Sequence, residues 1–190
     1  MKKLFKKIKN NLLVYIIWAI IAVVIVSFEV SFTTRLKDEQ RISFFFSHPA
    51  LNESEFVKLL RDNKPKYLKT ITYRNVDYRD ETTFMNVMSS AGLVDTDIFI
   101  FPKEAIDKFS PEGYFYELNE EKTNQIFNKT LTYYKSKDNY SYGIKIDSPY
   151  FSEEGKEFYL LYSKNSVHLG EFKKTSRNGN VTYSKLILES

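Results

Sequence analysis

Two histidines carry most of the acid–base chemistry open to this chain. His48 and His168 lie 120 positions apart, and neither sits at a metal-ligand spacing from another ligand type. A zinc or proton-transfer site at either one needs carboxylates delivered by folding. The plain expectation for each is a surface or hydrogen-bonded histidine. His48 has one further claim. With Ser47 it directly follows an apolar run, Ile42 to Phe46. In open α/β sheets ligands gather beyond the carboxyl ends of strands. Ser47 and His48 are therefore the ligand-binding candidates, set against a simple turn before Pro49. Asp95 and Asp97 bracket Thr96. Such a pair binds divalent ions in some settings, but here it opens a strand, which points to capping or turn formation.

Other chemistries lack their residues. There is no cysteine, so disulfides, thiolate catalysis and cysteine metal sites are excluded. No G-x-S-x-G elbow, G-x-G-x-x-G turn or P-loop occurs. The expectation is a protein with no catalytic residue, no metal and no cofactor, and not an enzyme. Asn52, Asn128, Asn139 and Asn180 begin N-x-S/T sequons, which matter only in a glycosylating pathway. Aromatics reach 16%. A sugar-stacking surface would use them, but a general bias toward Phe, Tyr, Lys, Asn and Ile explains them more simply.

The elements that would position these residues read clearly as far as Pro102. "RISFFFSHP" is a strand covered on both faces. A helix follows, with Asn52 as cap, Glu55 in a capping-box position, and Phe56, Leu59 and Leu60 on one face. "YLKTITYRNV" is a second strand. Asp80 caps a second helix whose Phe84, Val87, Met88 and Ala91 share a face, closed by Gly92 in a left-handed conformation. "TDIFIFP" is the third strand. Strands alternating with helices across short connectors imply right-handed crossovers and a parallel sheet. Phe44, Phe46, Ile71, Ile98 and Ile100 are expected in one core, with Phe99 and Phe101 on the opposite face. Beyond Pro102 the signal weakens: the pattern predicts a short helix at "KEAIDKF", a helix at "NEEKTNQIFNK", strands at "TLTYYKSK", "YSYGIKI" and "EFYLLYSKNS", and a final element in "NVTYSKLILES" that fits either a helix or a strand, the helix being favoured.

The N-terminus reads differently. Lys2, Lys3, Lys6, Lys7 and Lys9 precede a charge-free run from Leu12 to Phe28. At about 1.5 Å per residue that run covers roughly 26 Å. Its length, and the want of an A-x-A cleavage site, favour an uncleaved signal anchor over a signal peptide. The expected organisation is a cytoplasmic basic tail (1–11), a transmembrane signal anchor (12–32), a stalk (33–40) and an extracytoplasmic α/β domain (41–190). The expected location is thus the cell membrane, single-pass, with the domain extracellular. Removing those five lysines from the 28 Lys and Arg leaves near balance with the 24 Asp and Glu. The domain is therefore not a basic nucleic-acid surface, and no nucleic-acid partner is expected.

Four stretches resemble bacterial extracellular solute-binding proteins of ABC transporters, of the type II periplasmic-binding fold. They are Asp97-Ile98-Phe99-Ile100-Phe101, Gly113-Tyr114-Phe115-Tyr116-Glu117-Leu118, Tyr142-Gly143-Ile144-Lys145-Ile146 and Lys164-Asn165-Ser166-Val167-His168. Their order over roughly 41–170 carries the resemblance more than any one of them. It implies a single parallel or mixed α/β sheet domain resembling one lobe of such a protein. The implied function is a membrane-anchored solute-binding-like module associated with transport or solute capture. Its implied partners are the membrane and an ABC permease or a second subunit completing the cleft. The alternative is a non-catalytic interaction or scaffold protein docking onto a membrane complex, with ligand binding lost. Two features depart from the family: the lipidated cysteine of its Gram-positive members is absent, and there is room for about one lobe.

Overall fold

A computed structural model describes residues 12–34, 36–108, 111–174 and 177–190. The basic tail, 1–11, lies outside the described residues. The chain divides into two compact units between Lys37 and Asp38.

In the first unit, helix α1 (Leu12–Thr34) runs for 23 residues, and Trp18, Val23 and Phe28 are among its exposed apolar side chains. The sequence predicts a membrane span over this helix, and the structure does not bear that out. Among the described residues no helix is long and apolar enough to cross a membrane. The charge-free run, Leu12 to Phe28, stops before Glu29 and stands at the lower limit of the roughly 17–25 apolar residues that a membrane-spanning helix needs. The expected transmembrane helix is unsupported, and the fold class reduces to an α/β domain preceded by an apolar helix.

The second unit is built on six strands: β1 (Arg41–Phe46), β2 (Thr70–Asn75), β3 (Ile98–Pro102), β4 (Tyr133–Lys135), β5 (Ser141–Ile146) and β6 (Phe158–Tyr162). Their order is β2-β1-β3-β6-β5-β4. β1 pairs in parallel with both β2 and β3, as the alternation of strand and helix predicts. β6 then pairs antiparallel with β3, Ile98 opposite Tyr162 and Pro102 opposite Phe158. β5 is antiparallel to β6 and β4 to β5, with a register shift at Tyr134/Lys135. The sheet is therefore mixed.

The period-2 alternation of side chains divides the apolar residues between two cores. On one face Phe44, Phe46, Ile98, Ile100 and Leu160 are fully buried, with Ile71 half-buried beside them. They lie under α2 (Glu53–Asp62), through Phe56 and Leu60, and under α6 (Gly179–Glu189), through Val181, Tyr183 and Ile187. On the other face Phe45, Phe99, Phe101 and Leu161 pack against Phe84 and Met88, and against Ala105 and Ile106. Those partners belong to α3 (Glu81–Val87) with its continuation, and to α4 (Lys103–Ile106). Each fully buried large side chain contributes on the order of 1.5–3 kcal/mol. A further α-helix, α5 (Glu120–Phe127), starts at an Asn119 cap.

The caps read from sequence hold. Asn52 accepts the Glu55 amide at 3.4 Å and Asp80 the Thr83 amide at 3.2 Å. Gly92 does not. It keeps a helical φ of −60° inside a path that widens to π-helical over Met88–Gly92 before a last turn at Leu93–Asp95. Packing decides this: a Cβ on Gly92 would lie 2.9 Å from the Phe45 ring. The glycine lets the helix approach β1 rather than letting it end.

Candidate functional site

The carboxyl ends of the parallel strands hold Ser47 and His48, and the chain itself covers both. Ser47 is fully buried and His48 is 2% exposed. Ser47 Oγ accepts the Tyr78 amide at 2.8 Å, and its own amide donates to Ile100 O at 3.1 Å. Asn75, the last residue of β2, brackets the His48 peptide. Its Oδ1 accepts the His48 amide at 3.1 Å and its Nδ2 donates to His48 O at 3.0 Å. The segment after β5 then folds over this end. Phe151 packs on Phe46 and Phe56, and the His48 ring lies 4.8 Å from Phe158 and 6.0 Å from Phe151. Inside that aromatic box His48 Nδ1 faces Glu153 Oε2 at 3.8 Å, and neither atom has a hydrogen-bond partner. Lys156 holds the other Glu153 oxygen at 2.5 Å. Burial pushes the His48 pKa below its ordinary value; Glu153 opposes that and Lys156 adds to it. The imidazole is thus kept neutral and shielded, a poor position for touching a solute.

One edge further along, at the carboxyl end of β3, the surface is concave. A groove of about 830 Å³ opens there between Lys103 and Asp107, which follow Pro102, and the β4 side of the sheet. Tyr134 and Tyr159 form its floor, and Lys135, Lys137 and Asp138 are on its rim. The floor depends on Gly143 of β5. A Cβ there would lie 3.2 Å from Tyr159 Cβ and 3.3 Å from Tyr134 Cβ. With no side chain between them, the two rings meet edge to face, centroids 5.6 Å apart. Tyr134 donates its phenol to Asp107 Oδ1 at 2.7 Å, and Tyr159 donates to Glu157 Oε2 at 3.0 Å. Burial, and then the bond to a carboxylate, raise both phenol pKa values, that of Tyr159 to about 12. Both remain neutral donors at ordinary pH. The groove thus presents phenols fixed by carboxylates, the ammonium groups of Lys103, Lys135 and Lys137, and the carboxylates of Asp107, Glu112 and Asp138. That set recognises polar groups by hydrogen bonds and charge.

The amino ends of the same strands carry a further polar cluster. Asp97 Oδ2 accepts the Ser43 amide at 2.9 Å and Oδ1 accepts the Ser166 hydroxyl at 2.5 Å. Ser166 Oγ in turn accepts from the His168 amide at 3.1 Å and from Asn180 Nδ2 at 3.3 Å. His168 Nε2 lies 2.7 Å from Arg41 O, so Nε2 carries the proton. Burial pushes the Asp97 carboxyl up, against the pull of Ser166, His168 and the Ser43 amide. Asp97, Ser166 and His168 therefore clasp β1, β3 and the start of α6. Asp95 is exposed and takes no part in the Asp97 bonds, so the D-x-D pair is not a unit.

The sequence brings Ser47 and His48 to one end but does not show that His48 lies beside Phe151 and Glu153 and that Ser47 is spent on Tyr78 and Ile100. Sequence reasoning missed the groove tyrosines, Asp107, and the link from Asp97 to Ser166. The available signals were Gly143 inside an aromatic strand, which marks a close approach, and an aspartate opening a buried strand. Comparison with protein-family models, curated proteins and solved structures finds no match.

Proposed function

We propose that the Asp38–Ser190 unit is a non-catalytic binding module, of the solute-binding kind suggested by its four resembling stretches, and that it takes a small polar solute in the groove over Tyr134 and Tyr159. The observation that carries this is the position of the groove. It lies at the carboxyl end of β3, where open α/β sheets receive ligands, and its volume of about 830 Å³ falls within the range of about 300–1,000 Å³ used for small molecules. Open on one side, it buries less of a ligand than a closed pocket does, so binding by this unit alone is weak. A second subunit or a transport partner would supply the opposite wall. Calorimetric titration of the full chain with sugars, amino acids and short peptides tests the reading. Saturable heat that disappears in Asp107→Ala supports it; the absence of heat with every class sinks it. A second reading, an interaction protein that has lost solute binding, draws on the burial of Ser47 and His48.

A further inference from the structure

We propose that the free edge of β2 receives an extended acidic peptide as an added strand. β2 and β4 are the two edges of the sheet, and they are built differently. β4 is three residues long, is broken by a register shift, and has its Lys135 paired with Glu120 at 2.9 Å. A short, irregular, charge-paired strand is how proteins blunt an edge. β2 has six residues in unbroken register with β1. Along a strand, alternate peptide groups point to opposite sides, so half of those in β2 are turned away from β1. Thr72 and Tyr73 are exposed at its middle, and Tyr73 lies stacked on Phe46, rings 8° from parallel.

Charge selects the partner. From Asn63 to Val76 the chain carries Lys64, Lys66, Lys69 and Arg74 and no acid. None of the four joins an ion pair among the described residues. Lys64 Nζ is spent on Lys69 O at 2.9 Å, while Arg74 Nη1 is a buried donor with no hydrogen-bond partner. A second copy docking antiparallel, edge to edge, would bring Lys69 and Arg74, near the two ends of β2, toward the same pair of the other copy, and like charges across a strand pair repel. An incoming strand bearing Asp or Glu meets them with opposite sign, and its main chain takes up the open peptide groups.

The test uses the full chain and a fluorescent peptide of alternating Glu and Val, followed by anisotropy. Saturable binding is expected, weakened at least tenfold by N-methylation of alternate peptide nitrogens and by the exposed double substitution Lys66→Glu/Lys69→Glu. Thr72→Pro, a stronger edge block, is read only if its circular dichroism matches that of the parent chain; the lysine pair does not depend on it. Equal binding of the N-methylated peptide, or of inorganic polyphosphate, would reduce the edge to a patch of charge and overturn the proposal. So would no binding, equal binding of a Lys/Val peptide, or self-association abolished by the lysine substitutions.

Discussion

The two ends of the parallel strands each bury one histidine, and they hold it by opposite means. At the amino end His168 is fixed through its ring, with Nε2 donating to Arg41 O at 2.7 Å and the ring stacked on Tyr67. Asp97, Ser166 and Asn180 tie the surrounding strands by side-chain bonds. At the carboxyl end His48 is fixed through its backbone by Asn75, and its ring makes no hydrogen bond from Nδ1. The first arrangement is a clasp between segments far apart in sequence. The second is a lid closed over a strand end, with an imidazole left neutral among phenylalanines. The difference teaches that burial alone does not define a role: the partner atoms decide whether a buried polar group fastens the fold or merely fills it.

The largest effect would erase both ends together. Ile100 lies in β3 between them and is fully buried. Ile100→Asp places an unpaired carboxylate in the core, costs more than about 4 kcal/mol, and should leave the domain unfolded. A variant that melts with the parent chain would remove β3 from the centre of the fold. Next in size is the clasp. Asp97→Ala leaves the Ser43 amide and the Ser166 hydroxyl without their acceptor and should cost about 3 kcal/mol in urea unfolding. A cost within error of zero would mean the amino end is not fastened there. Asn75→Ala strips the bracket from His48 but leaves the aromatic box intact. About 1.5 kcal/mol is expected, and a loss larger than that of Asp97→Ala would reverse the ranking of the two ends.

The smallest effect is the pH dependence, and its sign differs between the ends. His48 has a folded pKa below its unfolded value of about 6.5. The unfolded chain therefore binds its proton first, and this contribution, full above about pH 6.5, is lost as pH falls through the folded value. Asp97 is raised above its unfolded value, so its contribution is fullest below about pH 4 and declines as pH rises through the folded value. On going from pH 7.5 to 5 the unfolding midpoint of the parent chain should fall relative to that of His48→Gln, in which the Asp97 contribution is kept and the His48 contribution is gone. An identical fall in both chains would show that the box does not keep the imidazole neutral.

Much of this fold was legible because its signals are local. The caps at Asn52 and Asp80, the i, i+3, i+4 faces, and the alternation that sends Phe44 and Phe46 one way and Phe99 and Phe101 the other depend on residues a few positions apart. The strand "TDIFIFP" delivers Lys103 and Asp107, just beyond its end, to the groove, although the ligand-binding candidates Ser47 and His48 are sealed, Ser47 by its bonds to Tyr78 and Ile100 and His48 beside Phe151 and Glu153. Gly92 reads as a helix stop because glycine favours left-handed backbone; its real task, admitting the Phe45 ring, is invisible without knowing which strand lies opposite.

By itself the sequence determined the kinds and order of the elements as far as Pro102, and which side chains of β1 and β3 share a face, because backbone periodicity and side-chain polarity act within single segments. Tertiary structure alone decided that β6 inserts antiparallel between β3 and β5, that Gly143 brings Tyr134 against Tyr159, and that Asp97 meets Ser166 across 69 positions. Each of these is a pairing between segments whose own patterns are indifferent to the partner. The choice among partners is made by the packing of the whole, where burying both faces of the sheet and satisfying its buried polar groups must be achieved at once.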